Sequence, residues 1–338
     1  MMDIPQRFAH LRRLTDRRGL FEHARADEPR RSGGYCVDDV ARGLVVIVRE
    51  PRITGGLGEM AELYLCFLEA AIASDGQAHN RMDERGDWDD QPGTGDWWGR
   101  LVWALGTAAA QAPQPAMRVR ALDAFHRGAS ARSGDLRPLA YAALGAAAVL
   151  DVAPADVTAR QILLDLVARI PDSHDLPWPW PEDRLRYANA LLPEALIAAG
   201  TALKAPAVLA QGLGLLDFLL SVEISEGHLS VTGTRGRGPG ERGAQYDQQP
   251  IEVSAIADAC ARAYDDTGDP RWIGIVELAW SWFLGWNDGK VVMYDQATGA
   301  GFDGLEEHGR NENRGAESTI AGISTYQQVR RLERAVRG

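Results

Sequence analysis

The residues of this sequence best equipped for chemistry are carboxylates and aromatic rings that share the same few segments. Five segments are crowded with them: GGYCVDD (33–39), DERGDWDDQPGTGDWW (83–98), DSHDLPWPWPEDR (172–184), GTRGRGPGERGAQYDQQP (233–250) and GFDGLEEHGRNENRGAE (301–317). A shorter one, RSGDLRP (132–138), has the same character. Trp88, Trp97, Trp98, Trp178 and Trp180, half of the 10 tryptophans, fall in two of these segments, so the enrichment is not a general richness in aromatics. Tyr35, Tyr187, Tyr246 and Phe302 sit in or beside the others. Aromatic faces among carboxylates, amides and arginines suit a sugar. The rings pack on the C–H face of a pyranose and the polar groups fork onto its hydroxyls.

Cleaving a glycosidic bond with inversion needs one carboxylic acid that donates a proton and one ionised carboxylate that activates water. Glu182 is the candidate acid, because Trp178 and Trp180 beside it would desolvate it and push its pKa up. Asp39 is the candidate base, because a helix N-terminus favours the ionised form. Asp247 is a third catalytic candidate, and Glu252 and Glu317 are rivals. The expected substrate-binding set is Tyr35, Asp38, Trp97, Trp98, Trp178, Tyr187, Asn189, Tyr246, Gln248, Glu252, Asn313, Arg314 and Glu317. Each acid at a helix start has a plainer reading as a cap, and this applies to Asp38, Asp39, Asp96, Asp135 and Asp183. Trp103, Trp272, Trp280 and Trp282 lie within helical stretches and read as core.

Other constellations carry less. The 7 histidines show no HExxH and no paired spacing, so neither a metal nor a cofactor is expected. Asp38–Asp39 lacks the third acid of a diphosphate-binding magnesium site. GTRGRGPGERG (233–243) follows no strand and opens no phosphate-cradling helix, so 233–250 reads as a mobile lid. Its Arg235, Arg237 and Arg242 would face an anionic sugar. Two other function classes stand beside the hydrolase. A sugar epimerase or isomerase would use paired histidines, for which only His23, His174 and His308 lie in the rich segments. A non-catalytic carbohydrate-binding toroid would keep the aromatic platform alone.

The elements that must position these residues are helical. Strand signals are nearly confined to 228–232 and 291–294. Ala- and Leu-rich stretches of helical spacing run over 37–49, 57–73, 97–111, 116–128, 136–150, 155–170, 183–200, 204–220, 250–265, 270–284 and 315–334. Proline and glycine punctuate them. The loops between them alternate: after each rich segment and its helix comes a short plain one, such as QAPQPA (111–116) or DDTGDP (265–270). Every second helix therefore starts at a rich segment, near Val37, Trp97, Leu136, Asp183, Ile251 and Ala316. The spacing is too uneven for an open solenoid. The pattern predicts an all-α (α/α)6 toroid, one domain over 1–338, with the rich loops on one rim and 8–15 supplying the sixth outer helix.

The strings GGYCVDDVARGL (33–44), WPWPEDRLRYANALLPEALI (178–197), YDQQPIEVSAIADAC (246–260) and NRGAESTIAGI (313–323) resemble a group of bacterial (α/α)6-toroid, six-hairpin glycosidase-like proteins. GLFEHA (19–24) and GDWWGRLVWALG (95–106) extend the resemblance over most of the chain. It implies the toroid fold and a carbohydrate context, since members of that group often occur with glycosyltransferases. The long, Gly/Arg-rich 233–250 region departs from the group.

The 338 residues are 45% hydrophobic and 25% charged, as in a globular domain rather than a disordered chain. The net charge of −11 argues against nucleic acid as a partner. Three cysteines without CxxC spacing, no apolar segment in the first residues and no apolar run near ~20 residues predict a cytoplasmic protein without a membrane partner. The predicted partner is a sugar or oligosaccharide, and the oligomeric state is left open.

Overall fold

Helix hairpins account for most of the computed structural model, which describes residues 4–54, 56–173 and 176–337. The helices are α1 (Ile4–Arg7), α2 (Ala9–Arg13), α3 (Val37–Val48), α4 (Leu57–Ala71), α5 (Asp96–Gln111), α6 (Pro115–Gly128), α7 (Leu136–Val152), α8 (Val157–Arg169), α9 (Leu191–Ala202), α10 (Pro206–Glu223), α11 (Pro250–Thr267), α12 (Arg271–Phe283) and α13 (Ala316–Arg337). The α3, α5, α7, α9, α11 and α13 helices each pack on the next, and α13 returns to α3, so these six close an inner ring. The α4, α6, α8, α10 and α12 helices pack outside their predecessors, and α2 packs on α13. This is the (α/α)6 toroid that the loop alternation predicts. Strands are only two or three residues long and pair as hairpins or between rim loops, as Tyr35–Cys36 pairs with Arg81–Met82.

Composition explains the two layers. The inner α7, LRPLAYAALGAAAVLDV, buries nearly its whole circumference, and its alanines let neighbours approach. The outer α6 buries a stripe, Met117, Ala121, Ala124 and Phe125, and turns its arginines outward. Proline in the first turn opens α6, α10 and α11. The α5–α7 crossing depends on glycine: a Cβ on Gly106 would stand 2.2 Å from the Gly145 carbonyl oxygen, and one on Gly145 would stand 2.4 Å from that of Val102.

The inner helices begin within a residue of the expected positions with one exception. The helix expected from 183 begins at Leu191. The preceding backbone groups are claimed elsewhere. Leu185 exchanges N–H and C=O bonds with Arg237 at 2.8 and 3.0 Å. The Arg186 N–H donates to the Asn189 side chain at 2.8 Å, and the Glu252 carboxylate on α11 accepts from the N–H groups of Ala188 and Asn189. Groups held by distant partners are not available to nucleate a helix.

The 233–250 segment is tied down rather than free to act as a lid. Arg237 is buried and donates to the carbonyls of Val222 and Ser230, Thr234 bonds Asp247, and Gln248 exchanges backbone bonds with Leu305. Its exposed residues are 234–235, 239–244 and 247. The α10 helix, 18 residues, is long and apolar enough by length and composition to cross a membrane, closer to that limit than the sequence expectation allowed. In the toroid it is the outer partner of α9 and buries Leu215, Leu216, Leu219 and Leu220.

Gly145→Val should lower stability by about 3 kcal/mol, the upper range for overpacking, because both contacting groups are backbone. Gly214→Ala on α10, where a Cβ meets nothing within 4 Å, should instead raise it by roughly 0.5–1 kcal/mol. Chemical denaturation of the two variants beside the parent checks both signs.

Candidate functional site

The inner helices project alternating arginines and carboxylates into the rich-rim mouth of the ring. On α3, one turn separates Asp38 and Asp39 from Arg42. The Arg42 guanidinium donates to Asp39 Oδ1 at 2.6 Å and to Glu317 Oε2, on α13, at 2.6 Å. Arg100, on α5, donates to Asp38 Oδ1 at 2.7 Å and to the Tyr141 hydroxyl at 3.3 Å. Arg137, in the first turn of α7, forks onto both oxygens of Glu182 at 2.7 and 2.8 Å. Its Nε donates to the Tyr187 carbonyl, and its guanidinium lies over the Tyr187 ring at 5.0 Å. Below this polar layer the lumen narrows to an apolar waist of Val45, Val46, Trp103, Leu144, Ile251 and Ile320.

Burial and charge divide the acids. Asp39 is 2% exposed, and burial pushes its pKa up to about 7. Arg42 opposes that shift, and the Glu317, Glu22 and Asp38 carboxylates reinforce it. Its neighbour Asp38 also pays for burial, but the Arg100 and Arg42 guanidinium groups outweigh that and hold it below the usual carboxylate range. Helix position alone would leave Asp39 ionised; desolvation reverses the expectation for it. Glu252 is pushed up to about 8 by burial, with Glu223 adding to it and the Asn189 and Ala188 N–H groups opposing.

Two acids remain open to the cleft. The Glu182 and Glu317 side chains are 19% and 35% exposed. Glu182 is held by Arg137 of α7, and Glu317 springs from α13 and is held by Arg42 of α3, so different inner helices fix the two at the same rim. The carboxylate of Glu182 meets arginines, Arg137 and, at 3.9 Å, Arg186, rather than the indole wall expected for a proton donor. Trp178 donates its indole N–H to the Glu182 carbonyl and sets its ring edge-on to Phe218, which Trp180 also faces.

Several expected binding residues hold the scaffold instead. Trp98 has no exposure and donates to the Gly128 carbonyl at 2.9 Å, and Tyr35 is buried, stacked on Phe21 and bonded to Asp16. Gln248 is buried between Asp288 and the Trp282 indole. Asn189 and Glu252 bond each other out of reach of solvent. Asn313 accepts from the Ala26 N–H, and Arg314 lies over Phe302, 3.6 Å from Asp295. These residues are polar because they tie one rim loop to the next. Trp97 is half-buried and donates to the Ala78 carbonyl, Tyr246 is half-buried, and Asp247 is exposed. His174 lies outside the described residues.

The arginines were the residues that sequence reasoning missed. A signal was present: Asp38/Arg42 and Asp96/Arg100 are both i, i+4 pairs at an inner-helix start, which places acid and base on one face. Ligand atoms of Glu22, Cys36 and Asp39 gather within 4.8 Å of one another, but each is engaged by the protein, with Arg81, Asn80 and Arg42 respectively.

No family model matches the sequence, and neither does any curated protein. Solved structures do. The cellobiose 2-epimerase of Bacillus thermoamylovorans B4167 is 12% identical, with a TM-score of 0.72 over 98% of this chain and 96% of its own. A sugar epimerase from a ruminal bacterium is 11% identical, with a TM-score of 0.71 over 97% and 96%. A GH76 alpha-mannanase from Bacteroides thetaiotaomicron is 10% identical, with a TM-score of 0.69 over 98% and 95%. At such identities the likeness shows the shared (α/α)6 toroid.

The raised pKa of Asp39 fixes the sign of a pH effect. The folded protein keeps this proton up to about pH 7, whereas an unfolded aspartate releases it near ~3.9. Between those values the native state binds more protons, so this group's contribution to stability falls as pH rises. Asp39→Asn, which cannot ionise, should gain on the parent in melting temperature from pH 5 to pH 8. Parallel melts across that range read the difference.

Proposed function

We propose that this chain is a carbohydrate-active enzyme, an inverting glycoside hydrolase working at the rich-rim mouth of the toroid. The observation that carries the reading is the pair Glu182 and Glu317: partly exposed carboxylates at the rim, each oriented by an arginine of an inner helix. A guanidinium fork serves a carboxylate that activates water, so Glu182 takes the base role and Glu317 the acid role. This reverses the assignment of Glu182 made from sequence. Asp39 sits behind Glu317 and shares Arg42 with it. The half-buried Trp97 and Trp178, with Tyr187, one face of which Arg137 covers, supply rings for a pyranose. A cytoplasmic setting belongs to the same proposal and rests on the three unpaired cysteines, Cys36, Cys66 and Cys260.

The likeness to two epimerases and to a D-mannose isomerase supports a second reading, proton transfer at a sugar carbon. That chemistry wants basic groups on either side of the carbon. Four of the described histidines are placed elsewhere: His10 bonds the Arg314 carbonyl, His79 stacks on Trp88, His126 pairs with Asp156 on the outer layer, and His228 pairs with Asp288; His23, 3.6 Å from Glu22, and the exposed His308 remain in rim segments.

A panel of oligosaccharides incubated in heavy water separates the two, since hydrolysis releases a new reducing end of inverted anomeric form and epimerisation introduces deuterium beside the carbonyl. On the substrate so identified, Glu182→Gln and Glu317→Gln should each lower kcat by about 10²–10⁴-fold while binding persists. Glu69→Gln, on the outer α4, should leave it unchanged. Full turnover in both mouth variants would overturn the assignment.

A further inference from the structure

A large cavity lies at the other end of the lumen, on the plain-loop side, with a volume of about 1090 Å³. That is the size of a small-molecule site. The apolar stretch of the lumen, through Trp103 and Leu144, lies between it and the rich-rim mouth. Its charged lining comprises seven arginines and five carboxylates, in a chain whose net charge is −11. Four pairs are internal: Arg7 with Glu50, Arg49 with Asp258, Arg262 with Glu194 and Arg331 with Asp265. Arg330 pairs with Glu333. Arg52 and Arg334 are exposed at this end with no ion pair among the described residues, and burial pushes the fifth carboxylate, Asp151, toward its neutral form.

The plainer account is that arginines at the C-terminal ends of inner helices offset the helix dipoles. Their bonds do not follow it. Arg49 donates to the Asp258 carboxylate and the Ser324 hydroxyl, and Arg262 to the Glu194 carboxylate, rather than to terminal carbonyls. A second sugar site is disfavoured by the rings. The two aromatic residues lining the cavity, Trp103 and Tyr326, are half-buried and buried, and a guanidinium lies over one face of each, Arg49 at 5.7 Å and Arg7 at 5.1 Å, which leaves little ring surface for a pyranose.

We infer that this cavity is a binding site for a phosphate dianion, free or carried on a small organic molecule, with Arg52 and Arg334 receiving the charge. A guanidinium fork matches phosphate oxygens in geometry as well as sign. The site is separate from the rich-rim cleft and does not depend on what that cleft does.

Isothermal titration of the full chain at fixed ionic strength tests this, with inorganic phosphate, glucose 6-phosphate and glucose as probes. One or both phosphate probes should bind saturably, and the tighter of the two identifies the free or the esterified form; glucose should not bind here. Arg52→Ala/Arg334→Ala should weaken phosphate binding by at least about tenfold, the scale of one lost charge-assisted pair. Arg120→Ala, which removes a surface arginine paired with Glu62 and Glu69 on the outer layer, should leave it unchanged. Unaltered phosphate binding in the double variant, glucose binding that the double variant weakens as much as phosphate binding, or no saturable binding of either phosphate probe up to about 10 mM would each overturn the inference.

Discussion

The buried guanidinium groups are the constraint on which the mouth of this toroid depends. Arg42, Arg100 and Arg137 rise from three successive inner helices, and each is at least nine-tenths buried. A buried charge left unpaired costs about 3–5 kcal/mol, so three of them leave little freedom in how the rim loops are arranged. Each must be met by an acid delivered from somewhere. Arg42 takes one from its own helix and one from α13, Arg100 takes Asp38, and Arg137 takes Glu182 from a loop 45 residues away in sequence. The last of these contacts brings the 172–190 segment to the mouth.

The same constraint organises the acids by function. Where the guanidinium contacts outweigh burial, as at Asp38, the carboxylate stays charged; where burial wins, as at Asp39, the proton stays to about pH 7. Two acids adjacent in sequence thereby acquire opposite protonation preferences, the condition for acid–base chemistry in one pocket. Glu182 and Glu317 complete the set because their arginines hold them at the surface of the cleft rather than drawing them under it.

The lumen has a layered composition. Six helices that each carry an acid or an arginine in the first turn pass through a stretch of valine, leucine, isoleucine and Trp103, and charge returns at the plain-loop end. This apolar stretch lies between two ends of different chemistry: partly exposed acids above, and below a cavity lined by seven arginines. The tight α5–α7 crossing at Gly106 and Gly145 lies within this stretch and holds two of its walls together.

The amino-acid pattern by itself determined the ring. Apolar runs of helical period, proline and glycine breaks, and alternating rich and plain loops are local properties, and five of the six inner helices begin where those signals place them. It also marked the rim, because the rich loops carry the groups that bridge it. What the pattern did not contain was the pairing. Trp98, Tyr35 and Gln248 have the side chains of a sugar site yet are spent on the scaffold, and Glu252 delays α9 from a position more than 60 residues along the chain. Whether a carboxylate keeps its proton, and whether it faces solvent, depends on how deeply it is buried and on which arginine reaches it. Both are set only when helices distant in sequence come into contact, and the tertiary structure alone decided them.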